Sequence, residues 1–208
     1  MNIFEENTEI YDSWFDSHKI LYHNELKLLK NFIKAEKFGL EIGVGTGRFA
    51  SKLGTKIGVD TSLKMLKIAK ERGIEIIQAR GEKLPFPDCV FDYVSIIVTI
   101  CFVEDPQCVL NEAYRVLNNN GNLFIAIIEK NSKYGKYYLK IKNENPFYKY
   151  ANFFTIKEIE AMAENAGFII TDYAQTLFFP PGKEVEEEWK MGYGEGSFVL
   201  ITGKKFKR

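Results

Sequence analysis

Glu41, Gly43, Gly45 and Gly47 fall in one run, Gly39-Leu40-Glu41-Ile42-Gly43-Val44-Gly45-Thr46-Gly47, where an apolar stretch meets an acid and then three glycines at alternate positions. Glycine accepts positive φ and has no Cβ, so a flat polar ligand can come close to the backbone. The unpaired N–H groups of a following helix would attract its negative end. Asp60 closes the next apolar run, Lys56-Ile57-Gly58-Val59. A carboxylate at such a strand tip can accept both hydroxyls of a ribose. Two other readings use the same residues. One is an ordinary tight turn from strand to helix. The other is a dinucleotide loop, because Gly45-Thr46-Gly47-Arg48-Phe49-Ala50 matches glycine, any, glycine, any, any, glycine or alanine.

The elements that must position these residues follow from the hydrophobic pattern. Thr8 to Lys34 reads as one or two amphipathic helices, with Tyr11, Trp14, Phe15 and Tyr22 making it rich in aromatics. Strands are expected in the apolar run that leads into the glycines, up to Asp60, at Ile74–Ala79, at Phe91–Ile100 and at Leu123–Ile128. Thr61 or Ser62 should cap a helix ending at Gly73, and Asp105-Pro106 should open another that ends at Asn118-Asn119-Asn120-Gly121. Arg80 to Asp88 reads as a loop because of its prolines. Lys130 to Asn152 has no clean strand period and is expected to be a lid or a solvated insertion. Thr155 with Glu158 makes a capping box for a helix reaching Gly167. Phe168–Leu177 and Ser197–Lys204 then follow with no helix between them, which predicts an antiparallel edge. The expected fold is α/β: a doubly wound, Rossmann-like, mostly parallel sheet with an antiparallel C-terminal strand pair. It should form one domain over residues 1–208, with a helical cap at 1–37 and the lid segment at 130–152.

Composition narrows the function classes. Of 208 residues 46% are apolar and 27% charged, enough for one ordinary core. Basic and acidic residues balance at 28 each, so no net field favours nucleic acid or an anionic membrane. No apolar stretch reaches membrane-spanning length, and the N-terminus lacks the pattern of a signal peptide, so a cytoplasmic location is expected. Cys89, Cys101 and Cys108 form neither a CxxC pair nor an even set, so no disulfide framework and no metal site is expected.

In order along the chain, four motifs resemble the class I S-adenosylmethionine-dependent methyltransferases, in particular the small-molecule branch similar to ubiquinone and menaquinone biosynthesis methyltransferases. They are Glu41 with the glycine loop to Gly47; Asp60-Thr61-Ser62-Leu63-Lys64-Met65-Leu66; Leu84-Pro85-Phe86-Pro87-Asp88 with Phe91-Asp92; and Val109 to Leu117 with Gly121. The resemblance is strong over about 38–128 and weaker beyond. It implies S-adenosylmethionine as cofactor, bound by Glu41, Gly43, Gly45, Gly47, Asp60, Thr61, Met65, Gly81 and Glu82. Asp60 would take the ribose, Met65 would pack on the adenine, and Gly81 and Glu82 would meet the adenine edge. Glu41 suits the methionine ammonium and would repel a pyrophosphate, which argues against the dinucleotide reading. Two residues depart from the family pattern. Arg80 stands where an aspartate commonly accepts the adenine amino group, and Cys101-Phe102 stands where a histidine pair is frequent.

The expected reaction is an in-line methyl transfer to a small-molecule acceptor. Alignment supplies much of the rate, and only some acceptors need a base. Candidates for that base are His18, Tyr11, Tyr134 and Glu129, each from a segment expected near the strand tips. A cofactor-binding sensor without turnover and a nicotinamide-dependent oxidoreductase are the alternative classes.

Overall fold

The computed structural model describes residues 3–206. Positions 1, 2, 207 and 208 of the expected single domain lie outside the described residues. Three helices come first: α1 (Ile3–Glu6), α2 (Thr8–Ser17) and α3 (Lys19–Phe32). Then come β1 (Gly39–Ile42), α4 (Arg48–Leu53), β2 (Ile57–Asp60), α5 (Leu63–Glu71), β3 (Glu75–Gln78), β4 (Phe91–Ile97), α6 (Pro106–Val116) and β5 (Leu117–Ile128). The chain ends with α7 (Lys133–Lys140), α8 (Ile156–Ala166), β6 (Ile169–Thr176), β7 (Lys190–Met191) and β8 (Phe198–Lys204).

All strands join one eight-stranded sheet in the order β3-β2-β1-β4-β5-β8-β6-β7. Strands β1 to β5 pair in parallel, and β8 lies antiparallel between β5 and β6. This is the doubly wound, mostly parallel arrangement with an antiparallel C-terminal pair. The chain runs outward from β1 to β3, crosses back to β4 and continues the other way. The carboxyl ends of β1 and β4 therefore diverge into a crevice, the usual ligand position in open α/β sheets.

Alternation along β5 distributes the core. Leu123, Ile125 and Ile127 meet α6 and α8 on one face through Val109, Leu110, Ile156 and Ile159. Phe124, Ala126 and Ile128 face Leu28, Leu29, Phe49, Tyr134 and Tyr138 on the other. A strand buried on both faces reads as one continuous apolar run for this reason. The caps match the local sequence. Ser62 accepts from the Met65 N–H, Asp105 accepts from Cys108 N–H ahead of Pro106, and Thr155 and Glu158 form the reciprocal capping box.

Four expectations are corrected. The Phe91–Ile100 strand stops at Ile97: Val98 takes φ 49°, and Ile100–Phe102 turns as a short 3₁₀ segment. Asn118–Gly121 does not separate helix from strand but lies within β5, as a bulge where the pairing with β4 shifts between Phe91 and Tyr93. Asn120 absorbs it at φ 64°, a conformation asparagine tolerates. The Lys130–Asn152 stretch is not a loop. It carries α7, whose Tyr134 and Tyr138 are buried in the core, and a 3₁₀ turn at Tyr148–Tyr150. Its apolar face is built from tyrosines, which hid the helical period among lysines. Finally, the short strand β7 pairs with β6, where no element was expected.

Candidate active site

The glycine run performs a tight descent from β1 into α4. Gly43 and Val44 donate their N–H groups to the Val59 carbonyl at 2.8 and 3.0 Å, tying the loop to β2. Gly43 has φ +71°, and a Cβ there would lie 2.1 Å from Thr99 Cγ2. Only glycine fits, because the tip of β4 crosses directly beside it. Gly45, at φ +53°, turns its N–H toward Asp60 Oδ2 at 2.9 Å, while Ser62 N–H donates to Oδ1 at 2.9 Å. Each Asp60 oxygen keeps acceptor capacity after these bonds. Burial raises the Asp60 pKa, against the lowering effect of those N–H donors.

A crevice of about 690 Å³ opens over these tips. Gly43, Gly45, Asp60, Thr61, Met65, Gly81 and Glu82 all line it. Gly47 does not: it caps α4 and packs toward Ala69. Glu41 is also off the wall, 2% exposed in β1, and its Oε2 has no hydrogen-bond partner. Burial, and then the charge of Asp60, push its pKa up to about 8. A buried carboxyl oxygen left unsatisfied is costly in a finished core. At the other end Arg80 bridges Glu82 at 3.3 Å and Glu104 at 2.7 Å, and both glutamates line the crevice. Phe102 forms part of the wall, whereas Cys101 turns behind it with its thiol toward the Val98 carbonyl.

The four candidate bases separate. Tyr11 lines the crevice and its ring would lie 3.4 Å from a Cβ on Gly45. Burial, with the charges of Asp60 and Glu41 added, raises its hydroxyl pKa above the ordinary tyrosine range, which disfavours a role as base. His18 is not brought to the crevice: it ends α2, stacked on Trp14 at 4.6 Å, with Nδ1 3.0 Å from the Trp14 carbonyl. Tyr134 is buried under α7, its pKa pushed up to about 12 chiefly by burial. Glu129 turns away from the crevice and caps the next turn by accepting from Asn131 N–H at 2.8 Å. These three positions followed from chain order near the strand tips, but helix packing turned each side chain elsewhere.

Sequence reasoning missed the groups that hold the N-terminal helices over the crevice. Asp12 on α2 accepts from Arg48 at 2.9 and 2.7 Å and from Arg72 at 2.8 Å on each oxygen. Arg48 also reaches Asp16 at 3.0 and 2.7 Å. Burial opposes ionisation of Asp12, but the two guanidinium groups hold its carboxyl well below the usual range. Glu5 on α1 accepts from the Ser62 hydroxyl at 2.5 Å and from Lys64 N–H at 3.1 Å. Ile3, Phe4 and Tyr11 thereby become crevice wall. The only sequence signal was the spacing of Asp12 and Asp16, which puts both on one helical face.

Residues 40–125 match the model of a methyltransferase domain family. A solved Thermotoga maritima protein, described as a SAM-dependent methyltransferase, "possible histamine N-methyltransferase", is 43% identical, with 98% of each chain covered and a TM-score of 0.93. The chain belongs to the S-adenosylmethionine-dependent methyltransferases. An uncharacterized protein of Methanocaldococcus jannaschii is 46% identical over 205 residues, covering 99% of this chain and all of that one. The ubiquinone/menaquinone biosynthesis C-methyltransferase of Escherichia fergusonii is more distant, 30% identical over 64% of this chain and 67% of its own length. The methyltransferase fold is therefore the class I, Rossmann-like one. Among the described residues of this methyltransferase, no helix is long and apolar enough to cross a membrane.

Proposed function

We propose that the chain transfers a methyl group from S-adenosylmethionine to a small-molecule acceptor. The observation that carries this reading is the pairing of an unpartnered buried acid, Glu41, with Asp60 across one glycine loop. Asp60 would accept the ribose hydroxyls, and Glu41 would take the methionine ammonium directly or through water. The loop at Gly43 and Gly45 would run beside both groups. Met65 would pack on the adenine face, and Gly81, Glu82 and Glu104 would meet its edge. A pyrophosphate would find acids here where it needs donors, which disfavours a nicotinamide dinucleotide.

The cofactor supplies a methyl group already activated by its sulfonium. The residues of this chain then bind, orient and exclude water. Phe4, Tyr11 and Phe102 close an apolar wall over the strand tips, and a fixed acceptor position can supply a large part of the rate. Neither histidine lines the crevice and burial disfavours ionisation of Tyr11, so the arrangement favours an acceptor that arrives already nucleophilic. The Thermotoga protein's description is of N-methyl transfer and the Escherichia enzyme's of C-methyl transfer. Greater identity and coverage weight the first for this chain and leave the quinone branch the weaker proposal.

Calorimetry with S-adenosylmethionine, S-adenosylhomocysteine and NAD tests the reading. Heat from the first two and none from NAD is expected. The reverse pattern would overturn it, and binding with no product from a labelled-methyl assay on cell extract would favour a sensor.

A further inference from the structure

The methionine end of the cofactor carries an ammonium and a carboxylate, and so far only the ammonium has a partner, Glu41. Few donors near the glycine loop could meet the carboxylate. The N–H groups of Gly43, Val44, Gly45 and Gly47 are all donated already, to the Val59 carbonyl, to Asp60 and to the Val44 carbonyl. The start of α4 is turned away, for neither Gly47 nor Arg48 lines the crevice. The guanidinium groups of Arg48 and Arg72 are occupied by Asp12, Asp16 and the Thr46 carbonyl. Among the described residues no lysine lines the crevice, and Arg80 is held at its other end by Glu82 and Glu104. Thr99 turns its hydroxyl onto the Gly43 and Ile97 carbonyls, at 3.1 Å each.

Tyr11 is different. Tyr22, Tyr93 and Tyr173 each engage their hydroxyl within the chain, with the Arg48 carbonyl, Thr55 and Glu160. The Tyr11 hydroxyl has no hydrogen-bond partner among the described residues, although its ring is half-buried in the crevice wall. A Cβ on Gly45 would lie 3.4 Å from that hydroxyl, so the oxygen stands directly over the loop, beside the residue whose N–H holds Asp60. Phe4, Phe15 and Phe147 pack edge-on around the ring at 5.9, 5.4 and 6.1 Å, and Asp12, the next residue, fastens α2 to α4 and α5. A donor held this firmly with nothing to donate to is placed for a ligand.

We propose that the Tyr11 hydroxyl donates to the α-carboxylate of S-adenosylmethionine, making Tyr11 the residue that selects a cofactor with its complete amino-acid tail. The proposal rests on the methyltransferase reading and adds a specificity determinant to it. A carboxylate over this loop enters a site that already holds Asp60 and Glu41, and a charge-assisted hydrogen bond from a neutral phenol offsets that repulsion without adding a cation beside the sulfonium. Burial favours the protonated, donating form of the phenol. Because Tyr11 stands on α2, the same bond joins the cofactor to the N-terminal helices over the crevice.

The test is calorimetry on the full chain with two probes that differ in one group. S-adenosylhomocysteine carries both the ammonium and the carboxylate, whereas 5′-deoxy-5′-(3-aminopropylthio)adenosine keeps the ammonium and lacks the carboxylate. The unaltered chain should bind the first more tightly. Tyr11→Phe removes only the hydroxyl and keeps the ring packing. It should weaken S-adenosylhomocysteine by roughly tenfold or more and leave the decarboxylated probe within about twofold, which also reports that the variant folds. Unchanged affinity for S-adenosylhomocysteine, or an equal loss for both probes, overturns the proposal, the second outcome reducing Tyr11 to wall packing. An unaltered chain that binds the decarboxylated probe but not S-adenosylhomocysteine overturns it too. Failure of both probes to bind the unaltered chain would instead overturn the methyltransferase reading, and this assignment with it.

Discussion

Asp60 and Glu41 illustrate how much one carboxylate can be asked to do. Asp60 shapes the loop through Gly45 and Ser62 and is proposed to hold the ribose. Asp60→Ala should weaken S-adenosylmethionine binding by about 2–4 kcal/mol, as two charge-assisted hydrogen bonds are lost together. An unchanged dissociation constant in a folded variant would remove the ribose from this strand tip. Glu41 gives a pH signature. Its folded pKa, about 8, lies above its unfolded value of 4.5, so the ligand-free chain loses stability as pH rises through that window and levels off beyond it. Glu25, with the same shift, adds a parallel loss, so Glu41→Gln should remove roughly half of the slope in denaturant titrations across the window. Cofactor affinity should rise with pH toward about 8 as Glu41 ionises, then fall as the ligand's α-amino group loses its proton. A pH-independent affinity would break the proposed ion pair.

Between elements, what matters is how α1 and α2 are fastened. Asp12 joins α2 to the start of α4 through Arg48 and to the end of α5 through Arg72. Asp12→Ala leaves two guanidinium groups facing each other without their shared partner and should cost about 2–3 kcal/mol. Thermal unfolding should then fall by about 5–10 °C for a chain of this size. The folded pKa of Asp12 is depressed, so its contribution is complete above about pH 5 and disappears as pH falls through the acid range. The gap between wild type and Asp12→Asn should close there, and a gap independent of pH would contradict the ion-pair account. The α1 latch is lighter. Removing residues 1–6 deletes Phe4 from the wall and the Glu5 contacts with Ser62 and Lys64, while leaving Asp12 and the buried Phe15 in place. Such a variant should fold normally and bind S-adenosylmethionine less tightly by roughly tenfold, since its site is less closed to water. Full affinity in an equilibrium titration would reduce α1 to a packed end.

For the whole molecule, the sheet order makes the crevice a consequence of topology. The chain leaves β1 in one direction and β4 in the other, and this divergence opens the space between their tips. A ligand bound there touches both halves of the sheet and the N-terminal helices, so it should stabilise the chain as a unit. At a hundred times its dissociation constant, S-adenosylhomocysteine should add about 2.7 kcal/mol, a shift of about 5–10 °C in the unfolding midpoint. NAD at the same concentration should leave the midpoint in place. A two-step melt with only one step shifted would mean that the helices over the crevice unfold separately from the sheet.

Much of this arrangement was legible in the sequence because its signals are local. The glycine run, the acids closing two apolar runs, the capping residues and the continuous apolar strands depend on neighbours a few residues away, so β1 to β5 and the crevice wall from Gly43 to Glu82 could be read from their order. The end of strand Phe91–Ile97 and helix α7 were misjudged where tertiary contact overrides the local pattern. The β4 tip bends away at Val98, and tyrosines serve as core under α7. Only the tertiary structure brought Asp12 to Arg48 and Arg72, turned His18, Tyr134 and Glu129 away from the crevice, and buried Glu25 on the inward face of α3. Those are relations between side chains far apart in the chain, set by which face each helix buries, and residue spacing carries no record of them.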